Sequence, residues 1–114
     1  MKVEVSILVE NDSALPGVEG EFGFSAWVNA EEIRFLFDTG NTNLLSANAS
    51  SMQVDPARTD SGVLSHGHFY HSGGLAAFLE SFGPPTVYAH PSFFRQRWVR
   101  AYIDRDISCP HSLQ

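Results

Sequence analysis

The residues best able to do chemistry lie in one short stretch, Ser65-His66-Gly67-His68-Phe69-Tyr70-His71-Ser72-Gly73-Gly74-Leu75, which holds three of the chain's five histidines within six positions. Imidazole nitrogen is a favoured ligand of a borderline-soft cation such as Zn²⁺, and two histidines separated by one residue on extended backbone can turn their rings toward one point. His66 and His68 have that spacing. His71 follows after a further turn, beside the start of an apolar run that reads as a helix, so its ring can face the same pocket from another side. Such a set could hold two metal ions a few Å apart. A single loop histidine is more often solvated or hydrogen-bonded than a ligand, but that reading explains three in close succession poorly.

The elements around this stretch follow from periodicity. Val3, Val5, Ile7 and Val9 alternate with Glu4, Ser6, Leu8 and Glu10, a period of two that predicts a half-buried strand ending at Glu10. Residues 11–20 are rich in turn formers; residues 21–29 and 33–37 then read as two strands around a tight turn at Ala30-Glu31-Glu32. From Thr42 to Met52 the apolar positions Leu45, Ala49 and Met52 have helical spacing, with Asn41 or Thr42 able to cap. Val63-Leu64 is a short apolar run leading into the histidines. Leu75, Phe78, Leu79 and Phe82 mark one face of a second helix, with Ser72 as its expected N-cap. Residues 86–89 suggest a further buried strand, and the remainder a short helix and a polar tail disordered from about residue 104. A hairpin followed by strands alternating with helices predicts an α/β fold, with a mixed sheet and helices on one face.

Composition narrows the classes. A chain of 114 residues, 43% hydrophobic, can build one modest core, so a single domain over residues 1–114 is expected. Thirteen acidic against seven basic residues, a net charge of -6, repel a phosphate backbone, so no nucleic-acid partner is expected. The single cysteine, Cys109, cannot form an internal disulfide, and residues 1–10 lack a basic start followed by a continuous apolar run, which points to the cytoplasm. No window approaches the roughly 18 uninterrupted apolar residues of a membrane span. The serine-hydrolase elbow, the phosphate-binding loop and the dinucleotide-binding glycine turn are absent from the sequence. Trp27, Trp98 and the phenylalanines read as core or half-core residues.

His66-Gly67-His68-Phe69-Tyr70-His71, with Leu64-Ser65 before it and Ser72-Gly73-Gly74-Leu75 after it, resembles the His-x-His-x-Asp-His signature of metallo-β-lactamase-fold proteins. Phe35-Leu36-Phe37-Asp38-Thr39-Gly40 is similar to that family's strand ending in an aspartate that supports the metal loop. Glu21-Phe22-Gly23-Phe24-Ser25, Asn48-Ala49, Val54-Asp55 and Ala89-His90-Pro91 narrow the resemblance to the branch of dihydropterin-ribofuranosylaminobenzene phosphate synthases. It runs from the first strand to about Arg97. It implies an N-terminal αββ-type half of an αββα sandwich and metal-dependent hydrolysis or a related transfer. His66 and His68 correspond to ligands of the first metal and His71 to a ligand of the second; Asp38 orients the loop and is the catalytic-site carboxylate, and His90 is a candidate substrate contact. Zinc is the implied cofactor.

The chain departs from this pattern at three points. Tyr70 stands where the family has a metal-ligating aspartate, and a phenol is a much poorer ligand than a carboxylate, so one zinc ion is expected rather than two. Phe22 stands where the branch usually has histidine. The family's second half, with its further ligands, has no counterpart in the sequence, which implies a partner supplying it or a homodimer closing over an otherwise exposed sheet face. Two other functions compete. One is a non-catalytic relative that self-associates. The other is a dimeric aspartic protease, whose active-site loop Phe35-Leu36-Phe37-Asp38-Thr39-Gly40 also resembles. A late ligand pair at Cys109 and His111 is a further alternative, set against an ordinary terminus.

Overall fold

A computed structural model describes residues 1–82, 85–100 and 104–110. The alternating start forms β1 (Glu4–Val9). It pairs antiparallel with β2 (Ser25–Asn29), and β2 pairs antiparallel with β3 (Arg34–Phe37). The β2–β3 turn closes through a hydrogen bond from Ala30 N to Ile33 O at 2.9 Å, with Glu31 in the left-handed region at φ 67°. A register shift between Ile7 and Val9 turns Leu8 and Val9 inward together, so both are buried despite being adjacent.

After α1 (Leu44–Ser51) the chain enters β4 (Ser61–Leu64), parallel to β3. Two helices follow, α2 (Phe69–Ser72) and α3 (Leu75–Phe82), and then β5 (Thr86–Ala89), parallel to β4. The sheet runs in the order β1-β2-β3-β4-β5, mixed in direction, so the expected α/β class holds.

One sheet face carries the core. Leu8, Val9, Trp27 and Leu36 pack with Leu45 and Ala49 of α1 and Phe78 of α3. A second cluster joins Leu64, Leu75, Phe93 and Cys109, and Leu79 packs against both. Burying side chains of this size contributes about 1.5–3 kcal/mol each, which is why α1 and α3 dock here although each is too short to be helical alone. Asn48 is also buried; its amide donates to Leu8 O at 2.7 Å and Glu19 O at 2.8 Å, tying α1 to β1 and to the loop before β2. Paired residues put Val5, Ile7, Val28, Phe35, Phe37, Val63 and Tyr88 on the opposite face. There Val5 and Tyr88 are exposed and Val28, Phe35 and Val63 half-buried.

Four expectations are corrected. Residues 21–24 are irregular rather than strand, because Gly23 lies against α2, where a Cβ would sit 2.4 Å from the Tyr70 carbonyl oxygen. Ser72 ends α2 instead of capping α3, its hydroxyl donating to His68 O at 2.8 Å. β5 is largely exposed rather than buried, because it forms a sheet edge. The region after Pro91 is a single 3-10 turn, Pro91–Phe94, followed by the antiparallel pair β6 (Trp98–Arg100) and β7 (Asp104–Asp106). Residues 104–110 therefore belong to the fold, with Phe69 N donating to Ile107 O at 3.1 Å and Cys109 buried in the second cluster. His111, the other member of the alternative ligand pair, lies outside the described residues. Among the described residues no helix is long and apolar enough to cross a membrane.

Candidate metal centre

Asp38 follows β3 in the left-handed region at φ 57°, a conformation that strains a non-glycine residue and persists only where its surroundings impose it. Those surroundings are visible. Its N–H donates to Val63 O at 2.9 Å, and Ser25 Oγ donates to its carbonyl at 2.8 Å. The turn that follows is clamped to the histidine segment, with Thr39 N donating to His71 O at 2.7 Å and Gly74 N to Thr39 Oγ1 at 3.1 Å. Gly73 and Gly74 permit this contact: a Cβ on Gly73 would sit 2.1 Å from Asn41 O, and one on Gly74 2.4 Å from Thr39 O. Gly67, between the first two histidines, is pressed against Phe93 O in the same way.

The Asp38 carboxylate is buried, at 1% exposure, and accepts three hydrogen bonds. Ser65 N donates to Oδ1 at 2.8 Å; Ser65 Oγ, at 2.6 Å, and His71 Nδ1, at 2.9 Å, meet Oδ2. Ser65 Oγ is also 2.7 Å from His66 Nδ1. These contacts assign the tautomers. A carboxylate only accepts, so the proton between His71 and Asp38 belongs to Nδ1. Ser65 has one hydroxyl proton, directed at Asp38, so toward His66 its oxygen accepts and His66 Nδ1 carries the proton. Both imidazoles in neutral form then keep their lone pair on Nε2, the atom a metal would take.

Asp38, His66 and His71 bring ligand-type atoms within 4.8 Å of one another. The carboxylate's two oxygens already serve three donors, which tie Ser65 and His71 to the end of β3. His68, the remaining member of the sequence-derived triad, stands beside it with its ring centroid 4.5 Å from that of His66. Its Nδ1 is 2.7 Å from the Tyr70 hydroxyl, and a metal at Nε2 requires that hydroxyl to accept. Partial burial lowers the pKa of both His66 and His68, helped for His66 by the neighbouring His71 and for His68 by His66 and Arg97, although Asp38 pulls His66 the other way. Neutral imidazole, the ligand form, is thereby favoured.

His90 caps the 3-10 turn, its Nδ1 accepting from Ser92 N at 3.1 Å, and is outside the trio. Ser65 is the residue whose role spacing did not reveal. It flanks the motif in sequence, but only the fold puts its hydroxyl between Asp38 and His66. Arg97, which lowers His66 and His68, likewise gave no local signal. Burial of the Asp38 carboxylate beneath Ser65 and His71 also leaves it unable to face a second aspartate, which removes the support for a protease dimer.

The profile of the Metallo-beta-lactamase superfamily matches residues 18–105. The 7,8-dihydropterin-6-methyl-4-(beta-D-ribofuranosyl)-aminobenzene-5'-phosphate synthase of Methanocaldococcus jannaschii is 32% identical over 69 residues, which cover 59% of this chain and 24% of that protein. An uncharacterised protein of the same organism is 32% identical over 104 residues, 90% of this chain and 40% of its own length. The crystal structure of Tm1679, a metal-dependent hydrolase of the beta-lactamase superfamily, superposes with a TM-score of 0.75 at 24% identity, covering 97% of this chain and 38% of that one. The metallo-β-lactamase MIM-1 from Novosphingobium pentaromativorans superposes with a TM-score of 0.56 at 26% identity over 65% of this chain and 28% of its own. The chain thus spans between about a quarter and two fifths of the curated relatives it matches.

Proposed function

Since this chain belongs to the metallo-beta-lactamase superfamily, we propose that His66, His68 and His71 hold one zinc ion and that the loaded centre carries out metal-dependent hydrolysis or a related transfer reaction. The observation that carries this reading is the relay from His66 Nδ1 through Ser65 Oγ to Asp38 and from His71 Nδ1 to the same carboxylate, which leaves a lone pair on each Nε2 for a metal. Bound there, zinc would act as a Lewis acid and bring the pKa of a coordinated water toward neutrality. The chain's own groups do the positioning. Asp38 fixes both rings and stabilises positive charge that develops on them, and Ser65 transmits its orientation to His66. Tyr70 presents a phenol in place of a carboxylate, which supports one ion rather than two. His90 would contact substrate through Nε2, since Nδ1 is engaged. A buried single cysteine fits a reducing cytoplasm.

On this reading the apolar sheet face bearing Val5, Val28, Phe35 and Tyr88 is covered by a second copy or by a polypeptide supplying the other part of the fold. Tyr70 favours a second reading, a relative that folds and associates without catalysis. Elemental mass spectrometry of the purified protein and of a His66→Ala, His71→Ala variant separates the two. Near-stoichiometric zinc lost in the variant supports the metal centre; zinc absent from both refutes it. Light scattering tests the covered face, and a monodisperse monomer at high concentration would sink that part.

A further inference from the structure

Next to the histidine cluster is a cleft of about 450 Å³ lined by Phe22, Phe24, Tyr70, His71, Glu10 and Asn11. His71 belongs to both, so the cleft adjoins the proposed metal centre. We propose that Phe22 and Tyr70 form an aryl-binding wall, selecting substrates that carry a flat, uncharged ring beside the group that meets the metal; the inference rests on the metal-dependent reading.

Phe22 is 59% exposed, and an isolated exposed apolar side chain is ordinary. Here three features set it apart. Its ring centroid is 4.5 Å from that of Tyr70 with the planes at 52°, a tilted pair against which a third ring can pack edge-to-face or offset. Its backbone is pinned on both sides: Glu21 N donates to Glu10 O at 3.1 Å, Gly23 N to Asn11 Oδ1 at 3.3 Å, and Phe24 N to Tyr70 O at 3.3 Å. The Tyr70 ring is anchored in turn by its hydroxyl at His68 Nδ1, 2.7 Å away. Both rings are held before a ligand arrives, so little further side-chain entropy is lost on binding. Glu10 in the cleft's lining disfavours an anionic substituent beside it, while His71 marks where the cleft meets the histidine cluster and suits the polar reacting group.

The test uses the full chain with phenylphosphonate and methylphosphonate as probes, zinc-loaded and chelator-stripped, by calorimetry and by ligand-observed saturation-transfer NMR. The loaded protein is expected to bind phenylphosphonate about tenfold more tightly than methylphosphonate, the gain ascribed to one aromatic packing contact plus ring burial. Phe22→Ala should abolish the preference and Phe22→Trp retain it, with zinc content unchanged and the fold intact by circular dichroism in both. Equal affinities for the two probes, a preference that survives Phe22→Ala, or no binding of either at millimolar concentration would overturn the proposal. Stripping the metal distinguishes the two layers. If affinity is unmoved by the chelator while saturation transfer to the ring still depends on Phe22, the metal-dependent reading fails and the aryl wall stands.

Discussion

Replacing Asp38 with asparagine tests the relay most sharply, because the change is nearly isosteric and alters only which atoms can accept. The carboxylate accepts from Ser65 N, Ser65 Oγ and His71 Nδ1 at 2.8, 2.6 and 2.9 Å. An asparagine oxygen can keep the Ser65 N–H, but its Nδ2 would then face two donors. If the donors stay as they are, two hydrogen bonds to a charged acceptor are lost at about 1.5–3 kcal/mol each, a destabilisation of roughly 3–6 kcal/mol in a small domain. The alternative is reversal. Nδ2 donates to Ser65 Oγ, which then donates to His66 Nδ1, and His71 turns its Nδ1 lone pair inward. That arrangement keeps most of the stability, but moves both imidazole protons to Nε2, where the metal would bind.

Either outcome weakens zinc binding, and losses of 10–100-fold are typical when an orienting partner of a ligand histidine is removed. Competition with a chromophoric chelator gives the affinity, urea denaturation of the stripped protein the stability, and long-range ¹⁵N–¹H correlations the tautomers. Intact zinc affinity together with unchanged stability in Asp38→Asn would refute the relay. A stable variant with both protons on Nε2 and weakened zinc would establish it in its reversing form.

Other consequences follow from the same geometry. Tyr70→Asp should raise zinc content above one ion per chain if the loop is otherwise intact, measured by elemental mass spectrometry; an unchanged ratio would refute the argument that the phenol limits the site. Gly73→Ala would place a Cβ 2.1 Å from Asn41 O and 2.7 Å from Phe69 O, both backbone atoms that cannot step aside cheaply, so a loss of at least about 1–3 kcal/mol is expected by chemical denaturation. The pH dependence has a definite sign. His66 and His68 titrate lower folded than unfolded, so the unfolded chain takes up more protons as pH falls from about 6.5, and the metal-free protein should lose stability there and regain it above. His66→Ala, His68→Ala should flatten that slope in urea titrations between pH 5 and 7, and an unaltered slope would assign the effect to other groups.

How much of this was legible in the sequence depends on the range of the interaction involved. β1, β3 and β5 fall within a residue or two of their expected bounds because a two-residue alternation, or a short run between prolines, is a local signal of extended backbone, although Val5, Ile7 and most of β5 are exposed in the fold. The histidine cluster was legible for the same reason, since its members are neighbours in sequence. What failed was assigned by distant partners. β7 exists because Arg97 bonds to Ile107 and Ser108 and Ile107 O receives Phe69 N, contacts that no local periodicity signals. Ser72 looks like a cap for the helix after it, but Gly73 and Gly74 must lie flat on residues 39–42, so the helix starts later and the hydroxyl turns back to His68.

The two departures at Phe22 and Tyr70 bring both ranges together. Forty-eight positions apart in sequence, each reads alone as the loss of a polar group, one near substrate and one at a metal. In the fold they are a single feature, because Gly23 has no Cβ to hold the loop off α2 and the two rings meet at 4.5 Å. A carboxylate at residue 70 could not hold an exposed phenyl ring in place, and a histidine at residue 22 would make a smaller, more polar wall. The two substitutions are therefore energetically coupled, and a double-mutant cycle between Phe22→Ala and Tyr70→Phe is the control that isolates ring packing from the hydroxyl. Tyr70→Phe keeps the ring and its contact with Phe22 but removes the anchor at His68, so it should weaken the aryl preference without abolishing it while loosening zinc. If it abolishes the preference instead, the wall is held by the hydroxyl's anchoring of Tyr70 rather than by the contact between the rings.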